Sequence, residues 1–186
     1  MNDSMKLVGS ITIICMVSAL LVSVAHEVTL KPIEDAEAAK KTKAILEVLP
    51  EGASKPEAMT NVVSSAVGVL STNVYWKTDK GYAMEMTAPN GYSGDITLML
   101  GFSKDGNFWS YKVLAHSETP GLGGHITGSF LDNVKNRPAG GTKWKVVKDG
   151  GDIVPITAAT ISSRAVCGAI ERGVKVFETI QTTETM

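Results

Sequence analysis

An uncharged apolar run near the amino terminus constrains this chain more than any other feature of its sequence. Residues 7–25 include no charged side chain, and a helix of that length spans roughly 28 Å, close to the ~30 Å hydrocarbon core of a bilayer. Lys6 precedes the run, so the positive-inside rule favours residues 1–6 as a cytoplasmic tail. We therefore expect a single-pass transmembrane helix over residues 7–25 in the cell inner membrane, in contact with membrane lipid, with the following residues on the extracytoplasmic side.

A cleaved signal peptide is the alternative for this segment. Residues 23–25 read Ser-Val-Ala, an acceptable small-residue cleavage site. Secretory apolar cores usually run about 7–15 residues, and this one is longer. A retained anchor is therefore the favoured interpretation, and both interpretations place the remaining residues outside the cytoplasm.

The composition excludes several kinds of protein. The 18 basic and 19 acidic residues give a net charge of -1, which provides no electrostatic basis for nucleic-acid binding. Cys15 and Cys167 cannot supply the four ligands that an iron–sulfur cluster typically needs, and we expect no disulfide between them. The three histidines lack the spacing of a metal site. We therefore expect no metal, and any redox group has to be organic.

Between the anchor and the main domain, residues 26–72 are predicted to form a helix and a linker. Pro32 is expected to end the membrane helix, and Asp35 can cap a new helix over residues 36–49. The small residues from 53 to 72 predict a linker.

The remaining residues, 73–186, are predicted to form one α+β domain. Alternating apolar residues predict one hairpin from residues 74–77 and 82–87, and a second from residues 96–102 and 109–115. Further predicted elements are a short helix over residues 127–134, a strand over residues 143–147, and a terminal helix from Thr160 with the apolar stripe Val166, Ile170, Val174 and Phe177. Together they predict a mostly antiparallel sheet flanked by helices.

Two segments of this domain have compositions suited to ligand binding. Residues 116–125 follow a strand, and their glycines permit the close approach of a flat ligand, although a plain turn explains the same composition. Residues 156–163 hold four hydroxyl side chains where the terminal helix starts. The free backbone N–H groups of a helix start bind phosphate, although helix capping explains the same residues.

The second segment resembles the flavin-attachment motif of the FMN-binding domain family. That motif is Ser or Thr, Gly or Ala, Ala-Thr, an aliphatic residue and two hydroxyl residues, and it is matched by Thr157, Ala158, Ala159, Thr160, Ile161, Ser162 and Ser163. The first segment resembles the glycine loop of the same family through Glu118, Thr119, Pro120, Gly121, Leu122 and Gly123. Residues 91–94, followed by an alternating strand, match the family as well.

This resemblance implies a flavoprotein. In the family, the threonine at the position of Thr160 carries FMN through a phosphoester to its hydroxyl oxygen, and a dedicated flavin transferase makes that bond. The resemblance also implies that the loop of residues 118–123 contacts the ring or the ribityl chain of FMN. Ser162 and Ser163 are expected to bind its phosphate. Arg164 could be a further charge partner of the phosphate, although a solvated surface arginine is the favoured interpretation. No catalytic residue is implied, because the electrons pass through the flavin.

With its amino-terminal anchor, the chain resembles the flavoprotein subunits of membrane electron-transport complexes over nearly its whole length. Its compact length favours an Rnf-type complex, a ferredoxin:NAD oxidoreductase-type ion translocase, over the sodium-pumping NADH:quinone reductase, whose homologous subunit usually has a longer chain. The resemblance implies other subunits of such a complex as partners, and a relay that is not catalytic alone.

Two further classes stay open at this point. A hydrolase could use Ser162 or Ser163 with His116, but the chain has no Gly-x-Ser-x-Gly nucleophile elbow. A flavin-free assembly subunit would keep the same fold. The feature that favours it is Val154, which stands where many relatives carry an acidic residue.

Overall fold

The computed structural model describes residues 3–54, 56–64 and 70–185, which belong to two compact units, Met1–Lys41 and Thr42–Met186. Helix α1, Asp3–Glu47, makes up the described part of the first unit, where apolar side chains such as Ile11 and Leu20 are 54% and 65% exposed. Among the described residues, it is the one helix long and apolar enough to cross a membrane.

Pro32 does not end this helix. Because α1 passes through Pro32 to Glu47, the prediction that Asp35 caps a separate helix over residues 36–49 was wrong. A proline inside a helix removes one backbone hydrogen bond and costs about 3 kcal/mol. The residues that follow it are rich in Ala, Glu and Lys, which are strong helix formers and offset that cost.

The second unit is built on a six-stranded antiparallel sheet, whose strands follow chain order from edge to edge. They are β1 Glu57–Ser64, β2 Leu70–Lys77, β3 Gly81–Ala88, β4 Ile96–Ser103, β5 Asn107–Ala115 and β6 Arg137–Pro138. Both predicted hairpins are present, as β2–β3 and β4–β5. The predicted α+β class is therefore confirmed.

Helical segments cover both faces of the sheet. Helix α3, Thr160–Thr185, buries its predicted stripe against one face, where Phe177 stacks on Phe102 of β4 with ring centroids 4.6 Å apart. On the other face, Val48 from the end of the α1 segment packs against Met99. β4 is buried on both sides, which explains its nearly continuous apolar sequence.

Gly101 of β4 allows the backbone after α1 to contact the sheet. A Cβ atom on Gly101 would overlap the carbonyl oxygen of Val48 and lie 2.6 Å from its carbonyl carbon. Backbone atoms cannot yield as a flexible side chain can. We expect Gly101→Ala to lower the free energy of unfolding of the full chain by about 1–3 kcal/mol, the usual range for overpacking.

Gly168 of α3 is the matched control for this prediction. A Cβ there would meet only the Arg172 Nη1 atom, at 3.6 Å, within 4 Å. Since alanine is favoured over glycine in a helix interior by about 1 kcal/mol, Gly168→Ala should raise stability slightly. Urea unfolding of both variants in detergent measures the difference, and equal effects would contradict the steric argument.

The predicted linker over residues 53–72 was wrong over much of its length. β1 lies within it, and β2 begins at Leu70, although Lys55 and residues 65–69 fall outside the described residues. β1 pairs with β2 along eight residues at the edge of the sheet. Backbone pairing with an existing strand therefore overrides the weak strand propensity of a segment rich in small residues.

Two predicted elements before α3 also differ from the structure. Residues 127–134 were expected to be one helix, but they hold the end of a 3-10 helix, Gly123–Thr127, and the four-residue α2, Leu131–Val134. Residues 143–147 were expected to form a strand. They make one isolated bridge, Val146 to Ile153, before a 3-10 helix begins at Val147. Their apolar alternation reflects the burial of Trp144 and Val146 beside a tight turn, without a neighbouring strand.

Candidate functional site

The carboxyl group of Glu118 joins two segments of the chain that are far apart in sequence. Glu118 follows β5 and is only 4% exposed. Its Oε2 accepts a hydrogen bond from the hydroxyl of Ser162 in the first turn of α3. Its Oε1 accepts a hydrogen bond of 3.1 Å from the backbone N–H of Ser93, in the loop before β4. The loop before β4 and the start of α3 are thus fixed to one buried acid.

Gly123 is packed against this hydrogen-bonded group. A Cβ atom on Gly123 would overlap the Glu118 carboxylate and lie 2.6 Å from the Ser162 hydroxyl oxygen. Any larger residue would therefore push apart the partners of the acid. The glycine that the sequence marked for close ligand approach serves first to let its own loop approach α3.

The start of α3 is shaped by a tight turn over residues 156–159. The N–H of Ala159 donates to the carbonyl of Ile156 at 3.1 Å, and Ser163 Oγ accepts from the Ile156 N–H and donates to the Ala159 carbonyl, both at 2.9 Å. Ala158, which precedes Ala159 in this turn, has a backbone φ angle of +62°. This is the left-handed region, which is costly for residues other than glycine.

Ala158→Gly is expected to stabilise the protein, because glycine adopts a positive φ without this strain. The left-handed conformation costs roughly 1–2 kcal/mol for alanine, and part of that gain is lost to the greater freedom of an unfolded glycine. We expect a net rise of about 0.5–1 kcal/mol in the free energy of unfolding, measured by urea titration.

The neighbouring substitution Ala159→Gly is the control, since Ala159 does not have a positive φ and its side chain is buried. It should destabilise the chain, because it gives up buried surface and adds unfolded-state entropy. A stabilising effect of both substitutions would contradict the assignment of strain to Ala158.

The hydroxyl groups of the motif differ in their hydrogen bonding. Ser162 donates to Glu118, and Ser163 is fully buried and bonded to the preceding turn. The hydroxyl of half-buried Thr160 has no hydrogen-bond partner within the part of the chain that the structure describes. Thr160 is also the first residue of α3, where backbone N–H groups lack intrahelical acceptors.

A cleft of about 480 Å³ lies where these segments meet, and this volume falls within the range of small-molecule and cofactor sites. Nine of the predicted site residues line this cleft. They are Glu118, Thr119, Leu122 and Gly123 in the glycine loop, and Ala158, Ala159, Thr160, Ile161 and Ser162 at the start of α3. The two segments that the sequence singled out separately therefore form one concave surface.

Four of the predicted site residues lie outside the lining of this cleft. Pro120, Gly121 and Thr157 are exposed at the surface, and Ser163 is buried within the turn. The expectation that the Ser163 hydroxyl contacts a phosphate therefore does not match its observed hydrogen bonds. Tyr92, which the predicted site did not include, lines the cleft, and the signal for it was the match of residues 91–94 to the family.

The residues of the hydrolase hypothesis do not form a nucleophile–base pair. The Nδ1 atom of His116 accepts a hydrogen bond from the Glu118 N–H at 3.1 Å, while the hydroxyls of Ser162 and Ser163 donate to Glu118 and Ala159. A serine hydrolase needs its base within hydrogen-bond reach of the nucleophilic hydroxyl. The geometry therefore does not favour this class.

Arg164 forms an ion pair beside the cleft. Its Nε and Nη2 atoms donate to the carboxylate of Asp149 at 2.7 and 2.8 Å, and this hydrogen-bonded guanidinium holds the pKa of Asp149 below its usual value. Arg164 remains exposed at the surface, but it is paired as well as solvated. It does not line the cleft that contains Thr160.

Comparison with known protein families identifies the domain that contains this cleft. The model of the FMN-binding domain family matches residues 91–175, a range that includes the glycine loop and the start of α3. The chain therefore contains an FMN-binding domain, and the resemblance predicted from its motifs is confirmed.

Individual relatives match over most of the chain. It is 31% identical to the G subunit of the ion-translocating oxidoreductase complex of Vibrio atlanticus over 179 residues, covering 89% of this chain and 86% of the relative. It is 33% identical to the corresponding protein of Cereibacter sphaeroides over 177 residues, covering 88% and 79%. For Erwinia tasmaniensis, the identity is 42% over 113 residues, and the match spans about half of that relative, 53%. The chain belongs to the family of G subunits of ion-translocating oxidoreductase complexes.

Proposed function

We propose that this chain is the membrane-anchored flavoprotein subunit of an Rnf-type ion-translocating oxidoreductase complex, and that its FMN is joined by a phosphoester to Thr160. The domain match supports FMN as the cofactor, and the names of the relatives support the complex. The long apolar helix supports a single-pass anchor. In this proposal the protein relays electrons for the assembly and is not catalytic alone.

The main support for Thr160 as the attachment site is that its hydroxyl is not hydrogen-bonded to any described residue. It lines the cleft without a hydrogen-bond partner among the described residues, whereas the hydroxyls of Ser162 and Ser163 are both bonded. An unbonded hydroxyl can reach a phosphorus atom without breaking a native contact. The amino-terminal end of the 26-residue helix α3 also favours an anionic phosphate there.

Attachment at this residue requires an external flavin transferase. A bond forms between Thr160 Oγ and the phosphorus of the flavin donor, the hydroxyl proton is released, and the leaving group of the donor departs with the electrons of the broken P–O bond. The cleft contains no cationic side chain in its lining. The described cleft therefore supplies the acceptor hydroxyl of Thr160, and we assign activation of the flavin donor's phosphate to the transferase.

The residues of this chain then hold and orient the cofactor. When bound, FMN supplies the electron transfer. The first-turn N–H groups of α3 are suited to contact the phosphate, while Glu118 fixes the loop and helix on either side. A covalent tether prevents loss of the cofactor on the extracytoplasmic side, where we propose the domain lies with the amino terminus in the cytoplasm.

The proposal is tested by expressing the full chain with and without the flavin transferase. We expect a mass increase equal to one phosphoester-linked FMN, and flavin fluorescence that survives denaturing electrophoresis, only in the presence of the transferase. A chain that stays at its unmodified mass when the transferase is active would refute the covalent attachment. Unmodified mass combined with normal assembly into the complex would favour the flavin-free assembly role.

A further inference from the structure

A groove beside the first turns of α3 carries positive charge. It has a volume of about 330 Å³, and the charged residues of its described lining are Arg164 and Arg172. Residues 88–90, where β3 ends, line it as well. Ile161 lines both this groove and the cleft that contains Thr160. The groove therefore borders the proposed flavin site, although the two differ in charge.

Arg172 is held in position without a partner for its charge. Its Nη2 atom donates to the backbone carbonyl of Thr87 at 2.8 Å, and no carboxylate among the described residues forms an ion pair with it. Arg164 differs, because Asp149 compensates its charge. A guanidinium has five N–H donors and binds a carboxylate through two parallel hydrogen bonds. Arg172 is therefore oriented by the backbone and keeps donors for an external carboxylate.

Gly168 lies in the groove, four residues from each arginine and on the same side of α3. Glycine inside a helix costs about 1 kcal/mol relative to alanine. Packing among the described residues does not require it, since a Cβ atom there would meet only the Arg172 Nη1 atom, at 3.6 Å. A glycine of this kind leaves the helix backbone open to close approach from outside the chain.

We propose that the surface of Arg164, Gly168 and Arg172, named here the arginine groove, binds an acidic segment of another subunit of the complex. This inference rests on the proposed membership of that complex and does not depend on the bond to Thr160. Small ligands are mostly enclosed by their sites, whereas both arginines are exposed, as charged groups at the rim of a protein interface are. Because Ile161 borders both sites, the bound subunit would lie beside the flavin with which a relay exchanges electrons.

Association of the full chain with the rest of the complex tests the inference. The probe is the complex purified from cells that lack this subunit, titrated with the full chain in nonionic detergent at low and high salt. Arg172→Gln should weaken binding about three- to tenfold at low salt, because it removes the positive charge that a partner carboxylate would meet. It should also reduce the dependence of the affinity on salt, since ions screen exposed charge pairs.

A second variant separates docking from stability. Glutamine is a better helix former than glycine, so Gly168→Gln should unfold at the same or a higher urea concentration than the wild type. It should nevertheless weaken binding at least as much as Arg172→Gln, because its side chain occupies the groove. Lys104→Gln is the control for the loss of one positive charge. Lys104 is exposed and does not line the groove, so this variant should bind as the wild type does.

The outcomes distinguish this inference from the proposed function. A wild-type chain that binds the depleted complex but carries no flavin would refute the attachment and leave the arginine groove in place. A wild-type chain that does not bind would contradict membership of the complex and, with it, this inference. Wild-type affinity in Arg172→Gln or in Gly168→Gln would overturn the arginine groove alone. Reduced flavin loading in both variants with normal binding would assign the groove to the transferase and would overturn it as a subunit contact.

Discussion

Thr160→Val is expected to abolish the flavin fluorescence that survives denaturation, a complete loss instead of a partial one. Valine has nearly the shape of threonine but lacks the Oγ atom that would form the phosphoester. The hydroxyls of Ser162 and Ser163 cannot replace it, because they are buried and hydrogen-bonded. Since Thr160 makes no side-chain hydrogen bond among the described residues, stability should change by less than about 1 kcal/mol.

Two matched variants control this result. Thr160→Ser keeps a hydroxyl on the same backbone atom and should retain flavin, at a reduced level if the transferase recognises the methyl group. Thr87→Val is the same substitution at an exposed threonine of β3, outside both the motif and the cleft, and it should carry the wild-type amount. Intact-mass measurement of the three variants compares the amount of flavin that each one carries. Flavin that persists on Thr160→Val would move the attachment to another residue.

The strands were predictable from sequence where burial on one or both faces left a recognisable pattern of apolar residues. The β4–β5 hairpin was predicted because β4 is apolar and buried over nearly its whole length, and β5 packs Phe108, Tyr111 and Val113 against the core. β1 was missed since it is an edge strand of small and polar residues that depends on backbone pairing with β2. In residues 143–147, alternating burial arose within a loop that pairs with residues 152 and 153, so the period alone was misleading.

The candidate site was predictable only in part, because its central contact is not local. The motif from Thr157 to Ser163 and the glycine loop are each continuous in sequence, and the family resemblance identified both. The hydrogen bonds of Glu118 span 25 residues to Ser93 and 44 residues to Ser162, and no spacing rule encodes such contacts. Tyr92 lies in the segment 91–94 that matched the family, but its place in the lining of the cleft depends on the long-range hydrogen bond between Ser93 and Glu118.

Glu118→Ala should produce the largest loss of stability among the cleft residues. It removes the acceptor for the Ser162 hydroxyl and the Ser93 N–H, and an unsatisfied buried donor costs about 1–3 kcal/mol. We therefore expect a loss of about 2–4 kcal/mol, or a fall in the melting temperature of the full chain of roughly 5–15 °C. Flavin loading by the transferase should fall as well, because the loop and the helix start would no longer be held together.

Glu118→Gln distinguishes hydrogen bonding from charge as the cause. The glutamine carbonyl can accept from the Ser93 N–H, and its amide can donate to the Ser162 oxygen, which acts as an acceptor once its hydroxyl rotates. Stability should therefore fall by less than about 1 kcal/mol, and flavin loading should remain, since the acid acts by joining segments. Glu51→Ala, at an exposed position, should change neither reading. If Glu118→Gln were as damaging as Glu118→Ala, the negative charge itself would be required, and the role assigned here to Glu118 would be wrong.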